Sequence, residues 1–315
     1  MTSAQESFAP RRAEPVFGRL AIIGIGLIGS SIARAAKELN LAGTIVLSDR
    51  DAGVRTRARE LDIGHAITET AAEAARGADH IILCVPVGAC GTVAAEIASE
   101  LKPGAILSDV GSVKGSVVDA VSPHLPDGVS FVPAHPVAGT ENSGPEAGFP
   151  SLFLNRWCIL TPPEGTDPAA VAKTRQLWEG MGALVEVMSA QHHDLVLAVT
   201  SHLPHLIAYN IVGTAEDLEA VTQSEVIKFS AGGFRDFTRI AASDPTMWRD
   251  VFLHNKEAVL EMLGRFNEDL ALLTRAIRYG DGETLHKHFT RTRAIRRGIV
   301  ALGQEKPETE KLRKD

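Results

Sequence analysis

Short apolar runs alternate with longer amphipathic stretches through the first half of the chain. The runs are rich in β-branched residues, stop at Gly, Pro or Asp, and cover residues 20–24, 44–48, 80–85, 105–109 and 129–134. The stretches between them combine Ala with Glu and Arg and cover residues 28–39, 52–61, 69–76 and 87–101. Buried parallel strands with helices on both faces of the sheet have this pattern. It predicts an α/β fold with a doubly wound sheet.

The pattern changes twice further along the chain. Residues 135–149 consist largely of Gly, Pro, Thr, Asn and Ser taken together, and they lack periodicity. Two more strands are predicted at 157–160 and 184–188, with a helix at 168–181 between them. After Ser189, which is a suitable helix N-cap, strand patterns stop and helical patterns take over. The predicted organisation is a flexible tail, an α/β domain, an all-helical domain and a charged tail, at residues 1–17, 18–188, 189–303 and 304–315.

One long helix is predicted from Asp244 and Pro245, which suit the N-cap and the first helical turn. Apolar residues then recur on one face, at Trp248, Phe252, Val259, Leu263, Phe266, Leu270 and Leu273. A stripe of this length exceeds what a helical half-chain covers by itself, which predicts a homodimer formed through the helical domain. The alternative is a helix that is buried within its own subunit.

Composition narrows the class of protein. The 315 residues carry 32 Lys and Arg against 39 Asp and Glu, and the net charge of −7 argues against broad binding to nucleic acid or anionic lipid. Three cysteines make neither a disulfide framework nor a Cys-rich zinc module, and they fit a reducing cytoplasm. No apolar run is as long as a membrane span, and the N-terminus lacks the hydrophobic stretch of a secretory signal. We therefore expect a cytoplasmic protein that binds neither membranes nor nucleic acid.

A dinucleotide site is predicted where the first apolar run meets the first amphipathic stretch. The spacing there is GxGxxG between a strand and a helix, and the helix N-terminus offers free N–H groups to a pyrophosphate. The residues of this motif are Gly24, Gly26, Leu27, Ile28 and Gly29. Asp49 follows twenty residues after Gly29, at the end of the second run, which suits a carboxylate on the adenosine ribose. Asp49 favours NAD, whereas the adjacent Arg50 keeps NADP open.

Candidate residues follow at the ends of the next three runs. Val85 and Pro86 end the third run and are expected over the cofactor, although a strand-ending proline explains them equally well. Ser112 follows the fourth run, where it either donates near the nicotinamide or, like Asp109, caps the next helix. His135 ends the fifth run, and an imidazole of pKa near 6.5 suits a base that takes a hydroxyl proton during hydride removal. The alternative is a purely structural histidine.

Two further clusters lie in the helical half. His202 and His205 share a helix face. Pro204 lacks the N–H that would donate to the residue four positions earlier, which predicts a kink in the helix. A kinked helix with two histidines could form a wall of the substrate pocket. A metal site is the alternative, with ligands from the neighbouring His192, His193 and Asp194.

Arg235 and Arg239 form the second cluster, four residues apart after a glycine turn. Arginines so placed on a helix face one way and bind carboxylates in a bidentate manner. They are otherwise surface cations, one of them neutralised by Asp236.

Together these segments resemble the prephenate/arogenate (cyclohexadienyl) dehydrogenase family. The resemblance spans about residues 18–300 and rests on the glycine motif and on DVGSVK at 109–114, HPVAGTE at 135–141, SHLPH at 201–205, GGFRDFTRI at 232–240 and SDPTMWRD at 243–250. It implies a Rossmann-type N-terminal domain and an all-helical C-terminal dimerisation domain. It also implies NAD(P)-dependent oxidative decarboxylation in tyrosine biosynthesis, of prephenate to 4-hydroxyphenylpyruvate or of arogenate to tyrosine.

The resemblance also implies roles for single residues. His135 matches the histidine that hydrogen-bonds the ring hydroxyl, and Ser112 matches the serine that assists it. The residues that match substrate-binding positions or border the pocket are His205, Arg239, Thr140 and Glu141. Because the chain has no room for a regulatory or mutase domain, feedback by tyrosine is expected at the active site or the dimer interface.

Two other functions stay open on the residues alone. A dehydrogenase of the 6-phosphogluconate or 3-hydroxyacid type shares this layout but uses a lysine on the helical domain, and no lysine lies within 201–205. A non-catalytic NAD-binding redox sensor would lack the His and Arg constellation. The sequence leaves open the preference for prephenate or arogenate, the preference for NAD or NADP, and the strength of tyrosine inhibition.

Overall fold

A computed structural model of the chain describes residues 10–140, 142–222 and 231–301. Glu141, the first nine residues and the predicted charged tail lie outside the described residues. One compact unit ends at Val259 and a second begins at Leu260. The boundary proposed between 188 and 189 stays a prediction.

Six parallel strands form the main sheet in the order β3-β2-β1-β4-β5-β6. They are β1 Phe17–Ile23, β2 Ala42–Ser48, β3 Ala66–Thr68, β4 His80–Leu83, β5 Ile106–Asp109 and β6 Ser130–Phe131. The strand order reverses between β1 and β4, which is where doubly wound sheets bind ligands at the carboxyl ends of their strands. The predicted fold class is therefore confirmed.

Helices connect the strands of this sheet and cover both of its faces. They are α1 Leu27–Glu38, α2 Ala52–Glu60, α3 Ala71–Ala75, α4 Cys90–Ile97 and α5 Gly115–Val121. Alternate residues of β1 enter two different apolar cores, with Leu20 and Ile22 in one core and Ala21 and Ile23 in the other. Because both faces are buried, β1 reads as a continuous apolar run.

A second, three-stranded sheet has the order β7-β8-β9. Its strands are β7 Ala134–Pro136, β8 Trp157–Leu160 and β9 Leu184–Val187, with α6 Pro168–Gly180 between the last two. The single strand predicted at 129–134 is wrong, because the chain divides there between β6 and β7. Pro133 has no N–H for a ladder, and its carbonyl instead accepts from Thr161 N at 2.9 Å. The prediction also missed β3, whose three residues are too few to show an alternating pattern.

The described residues from 190 to 254 are mainly helical. Their elements are α7 Ala190–Leu197, a π-helical turn Ala198–His202, α8 Leu203–Thr222, α9 Gly232–Thr238, a 3-10 turn Arg239–Ala242 and α10 Pro245–His254. The predicted N-caps are confirmed, since Ser189 and Asp244 accept hydrogen bonds from His192 N and Met247 N. The distortion expected at Pro204 takes the form of the π-helical turn just before it.

The long helix predicted from Pro245 is interrupted. It ends at His254, and α11 Lys256–Tyr279 begins after Asn255, whose φ of −111° and ψ of 32° leave the helical region. In the second unit, the remainder of α11 precedes α12 Gly282–Ala301. Both helices carry large exposed apolar side chains, including Leu272, Ile277 and Ile295.

The predicted N-terminal tail extends too far. Phe17 belongs to β1, and Arg12 N and Val16 N donate to Leu39 O and Leu41 O at 2.9 Å. Residues 12–17 are therefore attached to the sheet.

One helical stretch bears on the expectation that the chain lacks a membrane span. Ala190–Asp217 is long and apolar enough to cross a membrane by length and composition, although no uninterrupted apolar run of that length exists in the sequence. Its polar residues Asp194 and His202 are hydrogen-bonded to other segments of the first unit, as in a helix of a folded core.

Gly29→Ala is expected to destabilise the fold. A Cβ at Gly29 would lie 2.0 Å from the Gly24 carbonyl oxygen, a backbone atom that cannot rotate away. Such overpacking lowers the free energy of unfolding by about 1–3 kcal/mol, so the thermal midpoint, measured by circular dichroism, should fall by about 2–10 °C.

Gly26→Ala is the matched control for this experiment. A Cβ at Gly26 meets no heavy atom within 4 Å, so its thermal midpoint should fall by less than that of Gly29→Ala, the remaining loss coming from alanine being a poorer N-cap than glycine. Equal midpoints for both variants would contradict the close packing of α1 on β1.

Candidate active site

The glycine loop has the geometry of a phosphate cradle. Gly24 has a φ of +100°, and a Cβ there would lie 2.2 Å from the Cys84 carbonyl oxygen, so only glycine fits this turn. The space beside Gly26 is open, and no side chain caps the N-terminus of α1. Leu27 and Ile28 form its first turn. Free N–H groups and an unobstructed backbone suit a pyrophosphate.

Asp49 ties the end of β2 to the glycine loop. Its carboxylate accepts from Ile25 N at 2.8 Å and from Asp51 N at 2.9 Å. Arg50 is exposed beside it. Val85 lies against Gly24 at the end of β4, and Pro86 follows at the surface. The predicted cofactor residues therefore meet at one edge of the sheet.

A buried ion pair joins the end of β5 to β7. Lys114 and Asp109 are both fully buried, and Lys114 Nζ donates to the Asp109 carboxylate and, at 2.9 Å, to Ala134 O. Because Ala134 precedes His135, the ammonium group of Lys114 fixes the backbone that presents this histidine. No periodic pattern in the sequence indicates that Lys114 is buried and bonded in this way.

His135 belongs to a chain of three hydrogen-bonded side chains. His135 Nδ1 lies 2.8 Å from His193 Nε2, and His193 Nδ1 lies 2.8 Å from Asp194 Oδ1. The two rings meet edge to face, and His135 is only 8% exposed. Their place in the sequence suggested His193 and Asp194 only as metal ligands. No group of three or more ligands suited to a metal occurs among the residues that the structure describes.

The proton positions in this chain follow from Asp194. Burial alone would raise the pKa of Asp194, but hydrogen bonds from His193, Lys114 N and Gly115 N hold it below its usual value. An ionised carboxylate only accepts, so His193 carries its proton on Nδ1 and accepts through Nε2. His135 therefore donates through Nδ1, which leaves its Nε2 unprotonated.

Burial also holds the pKa of His135 well below 6.5, and the neighbouring His193, Lys114 and His202 act in the same direction. The pKa of His193 is lowered as well, mainly by burial. Both rings are therefore neutral at neutral pH. A neutral imidazole with one free nitrogen is equipped to accept a proton.

Asp194 also caps α5. Its two oxygens accept from Lys114 N and Gly115 N, each at 2.8 Å. The alternative in which Ser112 or Asp109 caps this helix is wrong. The N-cap position is Lys114, and the Asp109 carboxylate accepts a hydrogen bond from Gly111 N within its own turn. Ser112 is half-buried next to these groups.

His205 lies against Trp248, and Arg239 is close enough to His205 to act on it electrostatically. The His205 ring stacks on Trp248 with centroids 3.6 Å apart, and its Nδ1 donates to Ser201 O at 2.9 Å. Burial lowers the pKa of His205, and the charge of Arg239 lowers it further. His205 lowers the pKa of His202, and His202 in turn lowers the pKa of His135, so these three imidazoles are close enough to act on one another electrostatically.

Other predicted residues lie at the surface. Thr140 is exposed, with its hydroxyl accepting from Asn142 N at 3.2 Å, and Glu141 lies outside the described residues. Arg235 and Asp236 are exposed on α9, and Arg239 is exposed where the 3-10 turn begins. Ser112, His135 and His205 each lie near His202, Arg239 lies near His205, and Thr140 makes its described hydrogen bond within its own loop. Their roles in the site stay predictions.

Comparison with known proteins gives two family matches. Residues 32–187 match the nucleotide-binding domain of prephenate dehydrogenase, and residues 189–291 match its dimerization domain. A cyclohexadienyl dehydrogenase of Zymomonas mobilis is 47% identical over 89% of this chain and 96% of its own length. A prephenate dehydrogenase of Bacillus subtilis is 34% identical over 88% of this chain and 75% of its own length.

A solved structure agrees with these matches. The crystal structure of prephenate dehydrogenase from Aquifex aeolicus, in complex with hydroxyphenyl propionate and NAD+, superposes with a TM-score of 0.83 at 34% identity, covering 89% of this chain and 98% of that one. On its fold, its histidine site and these likenesses, the chain belongs to the prephenate dehydrogenase family.

Proposed function

We propose that this protein catalyses the NAD-dependent oxidative decarboxylation of prephenate, of arogenate, or of both, in tyrosine biosynthesis. The observation that carries the proposal is the hydrogen-bonded chain that leaves Nε2 of His135 unprotonated. Family membership supports this reaction over the 3-hydroxyacid dehydrogenase and redox-sensor alternatives.

His135 acts as the general base. Its Nε2 accepts the proton of the C4 hydroxyl while the C4–H bond breaks, and Asp194 stabilises the charge that develops along the two imidazoles. The glycine loop would hold NAD+, which would supply the acceptor for the hydride from C4. The ring carboxylate leaves as CO₂, its bonding electrons complete the aromatic ring, and the phenol product is released. Ser112 assists at the same hydroxyl.

Separate residues bind the cofactor and the substrate. Gly24, Gly26, Gly29 and Asp49 hold the cofactor, and the Asp49 carboxylate favours NAD because it would repel a 2′-phosphate. Arg239 pairs with a carboxylate of the dianionic substrate, next to His205. Thr140 and Glu141 border the pocket from the loop after β7.

We also propose a homodimer formed through the helical domain, residues 189–303. Large apolar side chains lie exposed on α11 and α12, as expected for a surface that a second copy covers. A shallow groove on α11 is lined by Asn267, Leu270, Ala271, Thr274, Arg275, Arg278 and Tyr279.

The described cysteines are free thiols, which fits the cytoplasm. Since tyrosine resembles the product, its feedback is proposed to act at the active site.

Steady-state kinetics test the function directly. The full chain should reduce NAD+ in the presence of prephenate or arogenate, with CO₂ released in equal amount, and should use NAD+ more efficiently than NADP+. Absence of turnover with both substrates, while NADH still binds, would favour the redox sensor. Turnover of simple 3-hydroxy acids alone would favour the other dehydrogenase class.

His135→Asn should lower kcat by about 10²–10⁴-fold with little change in KM, because it removes a general base. Since the reaction needs neutral His135 and burial lowers its pKa, wild-type kcat/KM should hold down to pH 6.5 and decline only below it. His192→Asn, at an exposed histidine nearby, is the matched control and should keep wild-type kinetics. Unchanged turnover of His135→Asn would refute the role of base.

Arg239→Ala should raise KM for prephenate by about 10–100-fold, the range for losing a charge-assisted hydrogen bond, with a smaller effect on kcat. Arg76→Ala removes an exposed arginine that pairs with Glu100 and serves as the control. A KM within twofold of the wild type would count against Arg239 as a substrate ligand.

A further inference from the structure

The side chain of Asn255 bonds to two segments of the site at once. It lies between α10 and α11 and is 5% exposed. Its Nδ2 donates to the backbone carbonyl of Asp194 at 2.9 Å and to Nδ1 of His202 at 3.0 Å. Neither the reaction nor the cofactor site described above uses this amide.

The π-helical turn Ala198–His202 brings those two acceptors onto one face. Asp194 and His202 are eight residues apart, which on a regular α-helix would rotate them about 80° from each other. The extra residue of a π-helical turn reduces this offset, so that the pair falls about two turns apart on the same side. One carboxamide then reaches both.

Hydrogen-bond chemistry fixes the proton of His202. The Asp194 carbonyl only accepts, so the group of Asn255 that faces it is the NH₂, and the same NH₂ faces His202 Nδ1. His202 Nδ1 must therefore accept, and the ring proton lies on Nε2.

The second ring nitrogen of His202 is buried as well. Nε2 has no hydrogen-bond partner among the described residues, and the backbone of Ser112 lies close enough to the ring to raise the pKa of His202. Burial lowers the pKa of His202 to about 4; Asp194 raises this pKa, whereas His193 and His205 lower it. His202 is therefore neutral and holds one tautomer at neutral pH.

We propose that Asn255 is a positioning residue that fixes the segment of Asp194 and the Nε2–H tautomer of His202. Through Asp194 it orients His193 and His135, and through His202 it supports the turn of Ser112. The effect on catalysis rests on the proposed function, whereas the tautomer of His202 does not.

Nitrogen-15 NMR of the histidine rings tests the tautomer in the full, unliganded wild-type chain. The His202 signals are identified by their loss in His202→Gln, and they should show a neutral ring protonated on Nε2 at neutral pH. A ring protonated on Nδ1, or on both nitrogens, would overturn the proposal. This measurement needs neither activity nor an Asn255 variant that folds.

Asn255→Asp tests the catalytic consequence. The carboxylate cannot donate, so His202 should shift its proton to Nδ1 or become doubly protonated. The kcat should fall by about 10–100-fold, as for other residues that orient a functional histidine, while KM for NAD and prephenate stays within about threefold. Glu257→Gln, an exposed residue two positions away, is the control and should match the wild type.

Two results with Asn255→Asp would contradict the proposal. One is kcat within twofold of the wild type. The other is a loss of kcat with the His202 tautomer unchanged, because activity would then be lost by another route. If wild-type protein turned over neither prephenate nor arogenate, the proposed function would fail while the tautomer measurement still decided the role of Asn255.

Discussion

The carboxylate of Asp194 is the interaction on which the site depends. It lies on α7, yet it accepts hydrogen bonds from Lys114 N and Gly115 N at the start of α5 and from the ring N–H of His193. A buried carboxylate is costly unless it is hydrogen-bonded, and these three donors satisfy it. Removing it would leave two buried N–H groups without an acceptor and His193 free to change its tautomer. One side chain thus sets the packing of the helical segment on the sheet and the proton arrangement of His135.

The electrostatics of the site divide into a buried and an exposed part. His135, His193 and His202 are buried and neutral, and the one ammonium among them, that of Lys114, is paired with Asp109. Arg239 stands at the surface, beside His205. A neutral imidazole at low dielectric and an exposed cation near it suit the reaction proposed above for a dianionic substrate, in a chain of net charge −7.

Local sequence features predicted the parts of the fold that depend on neighbours in the chain. The glycine loop, β1, β2, β8 and the caps at Ser189 and Asp244 follow from run length, spacing and capping chemistry. His135 was named as a candidate because it follows an apolar run, where ligands bind in such sheets, and its role stays a prediction. The division of 129–134 between two sheets was missed, because the pairing partner of β7 is β8, more than twenty residues away.

The partners of His135 were missed for the same physical reason. His193 is 58 residues from His135, and Asp194 is 80 residues from Lys114, so no periodicity links them. Adjacent histidines and an aspartate suggested metal ligands, although the structure uses them to orient one another. Asn255 interrupts a helix that the apolar stripe predicted to be continuous, because its side chain serves contacts with α7 and the π-helical turn.

A crystal structure of this protein with NAD+ and 4-hydroxyphenylpropionate would measure the distance from His135 to the hydroxyl group from which it is proposed to take a proton. We predict that His135 Nε2 lies about 2.6–3.2 Å from the 4-hydroxyl oxygen while its Nδ1 keeps the bond to His193. A ligand bound with its hydroxyl beyond hydrogen-bond reach of His135, or with His135 detached from His193, would contradict this prediction.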